Sequence, residues 1–79
     1  MTKIAYSING LRRNLAAQLK ELKKELDYEF AEGNIEDKQS ISDIFNELAC
    51  LSNSFNHVHI EGVKEFDDLS SDPEVKLFD

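Results

Sequence analysis

Tryptophan is absent from these 79 residues, and proline, cysteine and methionine each occur once. With Cys50 the only thiol, no disulfide can close within the chain. The two histidines, His57 and His59, lack the Cys/His company that a zinc site requires. On a helix they would stand about 200° apart, too far to share one ion. No apolar run approaches the roughly 18 residues that a membrane-spanning helix needs. The opening stretch, MTKIAY, has neither the apolar centre nor the small-residue cleavage site of a signal peptide. A cytoplasmic setting is therefore expected, and a lone unpaired thiol agrees with a reducing compartment. Also lacking are a glycine-rich phosphate loop, metal-ligand spacing and a recognisable nucleophile setting. No catalytic, cofactor-binding or metal-binding residue is assigned, and the chain is not expected to be an enzyme.

What remains is a helix-forming composition. Glycine numbers three, while leucine, alanine, glutamate and lysine are frequent. The first apolar series is Ile8, Leu11, Leu15, Leu19, Leu22, Leu26 and Phe30, with spacings of 3, 4, 4, 3, 4 and 4. Its eleven-residue repeat describes a long amphipathic helix, slightly over the straight-helix period. A second series, Ile41, Ile44, Leu48, Leu51, Phe55 and Val58, alternates 3 and 4 as a heptad seam, widened by Phe45. Two and a half heptads are too few for a free-standing coiled coil and enough for an antiparallel hairpin.

Ser7 or Asn9 can cap the first helix, and Gly10 makes its start ambiguous. Gly33 suits the left-handed position past its end, and Asn34 suits the N-cap of the second. Glu36 and Asp37 then fall in a first turn, where negative charge complements the helix dipole. Beyond Val58 the periodicity weakens, and Pro73 after Ser71 and Asp72 marks at most a single helical turn. The expected fold is all-α. A helix of about 7–32, a turn at 33–34, a helix of about 35–58 and a short helical or irregular arm at 60–69 form one domain, 1–69. Residues 70–79 are expected to be a mobile acidic tail.

So small a chain, with no disulfide or metal, is expected to rely on regular helix packing and self-association. One hairpin leaves part of its stripe open, and two would close it as a four-helix bundle. The dimer and core seam comprises Leu11, Leu15, Leu19, Leu22, Leu26, Phe30, Ile41, Ile44, Leu48, Leu51 and Phe55. The rival arrangement has residues 60–78 fold back over the stripe of their own chain.

Charge is unevenly spread around a net of −7. Residues 1–24 hold six bases and one acid, whereas 25–79 hold three bases and fifteen acids. Glu25, Asp27, Glu29 and Glu32 crowd the end of helix 1, against its dipole. With Glu36 and Asp37 they make an acidic pole, which marks them as candidate partner-binding residues. The expected function is a non-enzymatic protein-binding module: an adaptor, regulator or inhibitor that docks on a basic surface of a partner. The alternative uses Arg12, Arg13, Lys20, Lys23 and Lys24 as a face for nucleic-acid phosphates, although the overall charge weighs against it.

That alternative has a topological likeness. A short-turned helical hairpin expected to dimerise resembles the Rop family of plasmid copy-number regulators, dimeric four-helix bundles that bind paired RNA loops. At the C-terminus, EVKLF is similar to the Gln-Leu-x-Leu-Phe peptides that bind the bacterial sliding clamp. Here Glu74 stands for the glutamine and Val75 for the first leucine, ahead of Leu77 and Phe78.

Overall fold

A computed structural model describes residues 3–59 and 61–77. Helix α1 spans Lys3–Glu32 and helix α2 spans Lys38–Asn56. The two pack against each other as an all-α hairpin, followed by an arm that contains one 3-10 turn, Lys64–Phe66. Among the described residues no strand element forms.

Helix α1 starts earlier than its apolar pattern suggests. Ser7, Asn9 and Gly10 all lie inside it. The roughly 1 kcal/mol cost of an interior glycine falls within a helix that buries residues on both sides of it, Ala5 and Asn9 before and Arg12 and Ala16 after. Asn9 is not a cap: its amide donates to the Glu65 carbonyl at 2.8 Å.

The corner is built as Gly33 implies. Gly33 has φ 77°. Its N–H donates to the Phe30 carbonyl at 3.2 Å and that of Asn34 to the Glu29 carbonyl at 3.0 Å, the paired bonds of a Schellman ending. The N-cap of α2, however, is Asp37 and not Asn34. The Asp37 carboxylate accepts from the Ser40 N–H at 3.0 Å and from its hydroxyl at 2.8 Å. Asn34 is already committed backwards, with its amide on the Glu29 carboxylate at 2.7 Å. The connection is thus 33–37 and not 33–34, and α2 ends at Asn56 rather than near 58.

The seam also differs from the leucine stripe. The buried residues of α1 are Ala5, Asn9, Arg12, Ala16 and Leu19. In α2 they are Phe45, Ala49, Ser52 and Asn56. Both sets follow a heptad rhythm, the rhythm of packed antiparallel helices. A heptad line drifts about 20° per repeat around a straight helix, and an eleven-residue line drifts the other way. The two lines therefore coincide near the corner and part toward the N-terminus. Leu19, Leu22 and Leu26 pack with Phe45 and Ala49, and Phe30, Ile41 and Phe55 are half-buried. Leu11, Leu15, Ile44, Leu48 and Leu51, assigned from periodicity to the seam, are exposed. The structure thus divides the expected seam into an inner and an outer part.

The arm folds back over the other side of the hairpin. Phe66 and Val75 are buried, and Leu77 packs against the Leu19, Phe45 and Ala49 cluster. Leu69 N–H donates to the Asn56 carbonyl at 2.8 Å. Asp72 organises the turn at Pro73 by accepting from the Glu74 N–H at 3.0 Å. Residues 70–77, expected to be a free tail, lie along α1 because they carry Val75 and Leu77 into the core. Ile60, Phe78 and Asp79, to which the sequence reading assigned roles in the arm and tail, lie outside the described residues. The chain is elongated, 49 × 20 × 16 Å, with a radius of gyration of 15.0 Å. A compact domain of this length would have about 12 Å.

Candidate functional site

The basic residues of α1 are largely occupied by the arm. Arg12 is buried. Its guanidinium donates to Asn9 Oδ1 at 3.1 Å and to the carbonyls of Asp67 at 3.3 Å and Val58 at 2.8 Å. It also lies 5.4 Å from the centre of the Phe55 ring. Burial lowers its pKa, and the charge of Asp68 partly offsets that. Arg13 reaches the carboxylates of Asp72 and Glu74, each at 3.1 Å. Lys20 donates to the carbonyls of Pro73 at 3.1 Å and Glu74 at 2.9 Å. Lys23 is exposed, and Lys24 is exposed and pairs with Glu21 at 3.4 Å. The five bases proposed as a phosphate-binding face therefore do not form one open stripe. The end of the hairpin that looked basic in sequence is covered by arm carboxylates.

Beneath that clasp lies a polar layer that the periodicity reading missed. Asn9, Arg12, Ser52 and Asn56 are all buried, on the inner positions of both helices. Among the described residues, Arg12 Nε, Ser52 Oγ and Asn56 Oδ1 have no hydrogen-bond partner. The signal was present in the 4, 3, 4, 3 spacing of Ala5, Asn9, Arg12, Ala16 and Leu19. It was masked because four of those five positions are small or polar, while large leucines sit beside them.

His57 and His59 lie past the end of α2, each exposed and each beside a different arm aspartate. Nδ1 of His57 is 3.0 Å from Asp68, and Nδ1 of His59 is 3.5 Å from Asp67. Neither packs into the seam. Asp68 is lowered to about 2, chiefly by the Ser70 hydroxyl and N–H, with a smaller contribution from His57. Asp72 is lowered mainly by the Glu74 N–H and then by Arg13. Cys50 is exposed. Among the described residues no group of three or more His, Cys, Asp or Glu side chains is placed to hold a metal ion. No helix there is long and apolar enough to cross a membrane.

The acidic residues gather at the opposite end. Glu25, Asp27, Glu29 and Glu32 occupy the last two turns of α1, and Glu36 and Asp37 the corner. Five of them are exposed and Glu29 is half-buried. Asp27 points about 160° away from Glu25 and Glu29 around the helix, so the acids ring the end instead of sharing a face. Two are used locally: Glu29 receives Asn34, and Asp37 caps α2, with Ser40 lowering its pKa. Among the described residues none of the six forms a salt bridge. The adjacent base, Lys38, lies over the Phe30 ring at 6.0 Å. Between the helices at this end runs an open groove of about 260 Å³, lined by Leu26, Phe30, Phe45 and Ser42 and flanked by Lys23, Asp27 and Asn46.

Val75 and Leu77, two of the apolar positions of the clamp-like EVKLF segment, face inward to the core. Comparison of the chain with protein-family models, with curated proteins and with solved structures found no match.

Proposed function

We propose that this chain is a non-enzymatic protein-binding module that works as a homodimer. It acts as an adaptor, regulator or inhibitor by docking its acidic end on a basic surface of a partner protein. The observation that carries the reading is the contrast between the two ends of the hairpin. At the arm end, bases and acids satisfy one another. At the corner, six carboxylates crowd together with no salt bridge among the described residues, and four of them oppose the dipole of α1. An uncompensated charge cluster steers association with an oppositely charged surface and fixes its orientation. The enclosure of Arg12 and the engagement of Arg13 and Lys20 support this over phosphate binding along α1.

The test is capture of partners from the native host by the wild-type chain and by a Glu25→Lys, Glu32→Lys, Glu36→Lys variant. Among the described residues the side chains of these three acids make no hydrogen bond within the corner, so the variant is expected to keep its helicity. It is expected to lose partners held by the wild type in a salt-sensitive manner. Equal recovery by both chains would overturn the proposal.

A further inference from the structure

We infer that the side of the hairpin opposite the arm is the surface on which a second copy of this chain seats. The inference rests on the homodimer reading above and names its interface. Ile4, Leu11 and Leu15 on α1 are exposed, as are Ile44, Leu48 and Leu51 on α2. Each outer line precedes an inner one by a single residue: Ile4, Leu11 and Leu15 before Ala5, Arg12 and Ala16, and Ile44, Leu48 and Leu51 before Phe45, Ala49 and Ser52. One residue is a rotation of about 100°. The same offset on two antiparallel helices opens to the same side of the pair, so the two lines make one face.

The arm lies on the other side. Arg13 and Lys20, which hold Asp72 and the 73–74 backbone, are displaced from the inner line of α1 in the opposite sense. The arm therefore folds back without covering the leucines.

The pattern is inverted for a lone chain. Alanine, asparagine, arginine and serine occupy inner positions while leucine and isoleucine face outward. The amount of surface fits one particular occupant. The chain exposes 5712 Å², whereas a compact monomer of 9.0 kDa exposes about 4,900 Å². The surplus, roughly 800 Å², is what one partner contributes to a standard interface. No charged residue interrupts either outer line, so a copy that is itself at −7 meets no opposing charge at the centre of the contact. An isologous pair sets the α1 line of one chain against the α2 line of the other and closes without further growth, giving four helices around one apolar layer.

Sedimentation equilibrium at tens of micromolar tests this, on the full chain and on a Leu48→Lys, Leu51→Lys variant, with helicity followed by circular dichroism. The wild type is expected at the mass of two chains. The variant is expected at the mass of one with its helicity kept. Should the double variant unfold, Ile44→Lys, at a residue 55% exposed in the single chain, makes the same comparison. A wild type at one-chain mass overturns the homodimer and its interface together, and leaves the face to another partner. A two-chain wild type whose folded variants also stay at two chains leaves the homodimer standing and overturns this interface alone.

Discussion

Arg12 shows how a side chain reads one way in sequence and works another way in the fold. Its charge suggested a surface contact with phosphate. Its position, one heptad before Leu19 by way of Ala16, makes it an inner residue. There it binds two backbone carbonyls of the segment that follows α2, so the cation anchors chain geometry instead of a ligand. Such a layer is sensitive to each member, because a buried polar group left unpaired costs about 1–3 kcal/mol. Ser52 is a direct test. Its hydroxyl is buried without a partner among the described residues, and serine is a poorer helix former than alanine. Ser52→Ala is expected to raise stability by about 1 kcal/mol, read as a higher urea midpoint at unchanged slope. A lower midpoint would show that the hydroxyl does have a partner.

Among the elements, the arm is the one whose behaviour depends most on conditions. It is held by Phe66 and Val75 inside the core and by carboxylates outside it. Asp68 and Asp72 both have lowered pKa values. A lowered carboxylate contributes stability that is complete above its unfolded value, near 3.9, and that is lost as pH falls through its folded value. For Asp68 that window runs from about 3.9 down to about 2. The thermal midpoint is therefore expected to hold from neutral pH to about 4 and to fall below it. Asp68→Asn is expected to flatten the fall. An identical acid profile in wild type and variant would place the pH dependence elsewhere. The corner shares part of this dependence, since the Asp37 carboxylate that caps α2 is also lowered by its bonds from Ser40, whereas the Gly33 half closes with backbone bonds alone.

The whole molecule is long, thin and strongly acidic, and these properties act together. Its core is small for its length: among the described residues seven apolar side chains are buried, three of them alanine. Six of its sixteen carboxylates crowd the corner without a salt bridge among the described residues, while arm carboxylates at the other end face Arg13. Like charges within a Debye length repel one another, and salt screens exposed charges first. The exposed ion pairs of Arg13 and Lys24 stabilise little, so screening removes more repulsion than attraction. Raising ionic strength is expected to raise the thermal midpoint of the chain, and neutral variants of Glu25 and Glu32 are expected to show a weaker rise. A midpoint that falls with salt would show that the arm's ion pairs outweigh the acidic crowding. The same screening is expected to weaken docking on a basic partner while leaving an apolar homodimer contact intact, which separates the two interactions in one titration.

From the sequence alone came the helical class, the hairpin and the glycine at its corner. Each depends on interactions within a few residues: helix propensity, a repeating apolar pattern, and the one conformation that glycine adopts freely. Other features were decided only in the tertiary structure. These are the choice of inner face, the burial of Arg12, the capture of Arg13 and Lys20, and the docking of residues 70–77. Periodicity marks an apolar line on a helix, but it does not say which neighbour meets that line. In α1 the apolar line and the packing line turn at different rates, so they agree near the corner and separate along the helix. The arm, with no periodicity of its own, is placed by contacts across more than fifty residues of chain. Such contacts leave no local trace, and four of the leucines that the sequence assigns to the seam, Leu11, Leu15, Leu48 and Leu51, stand on the outside of this chain.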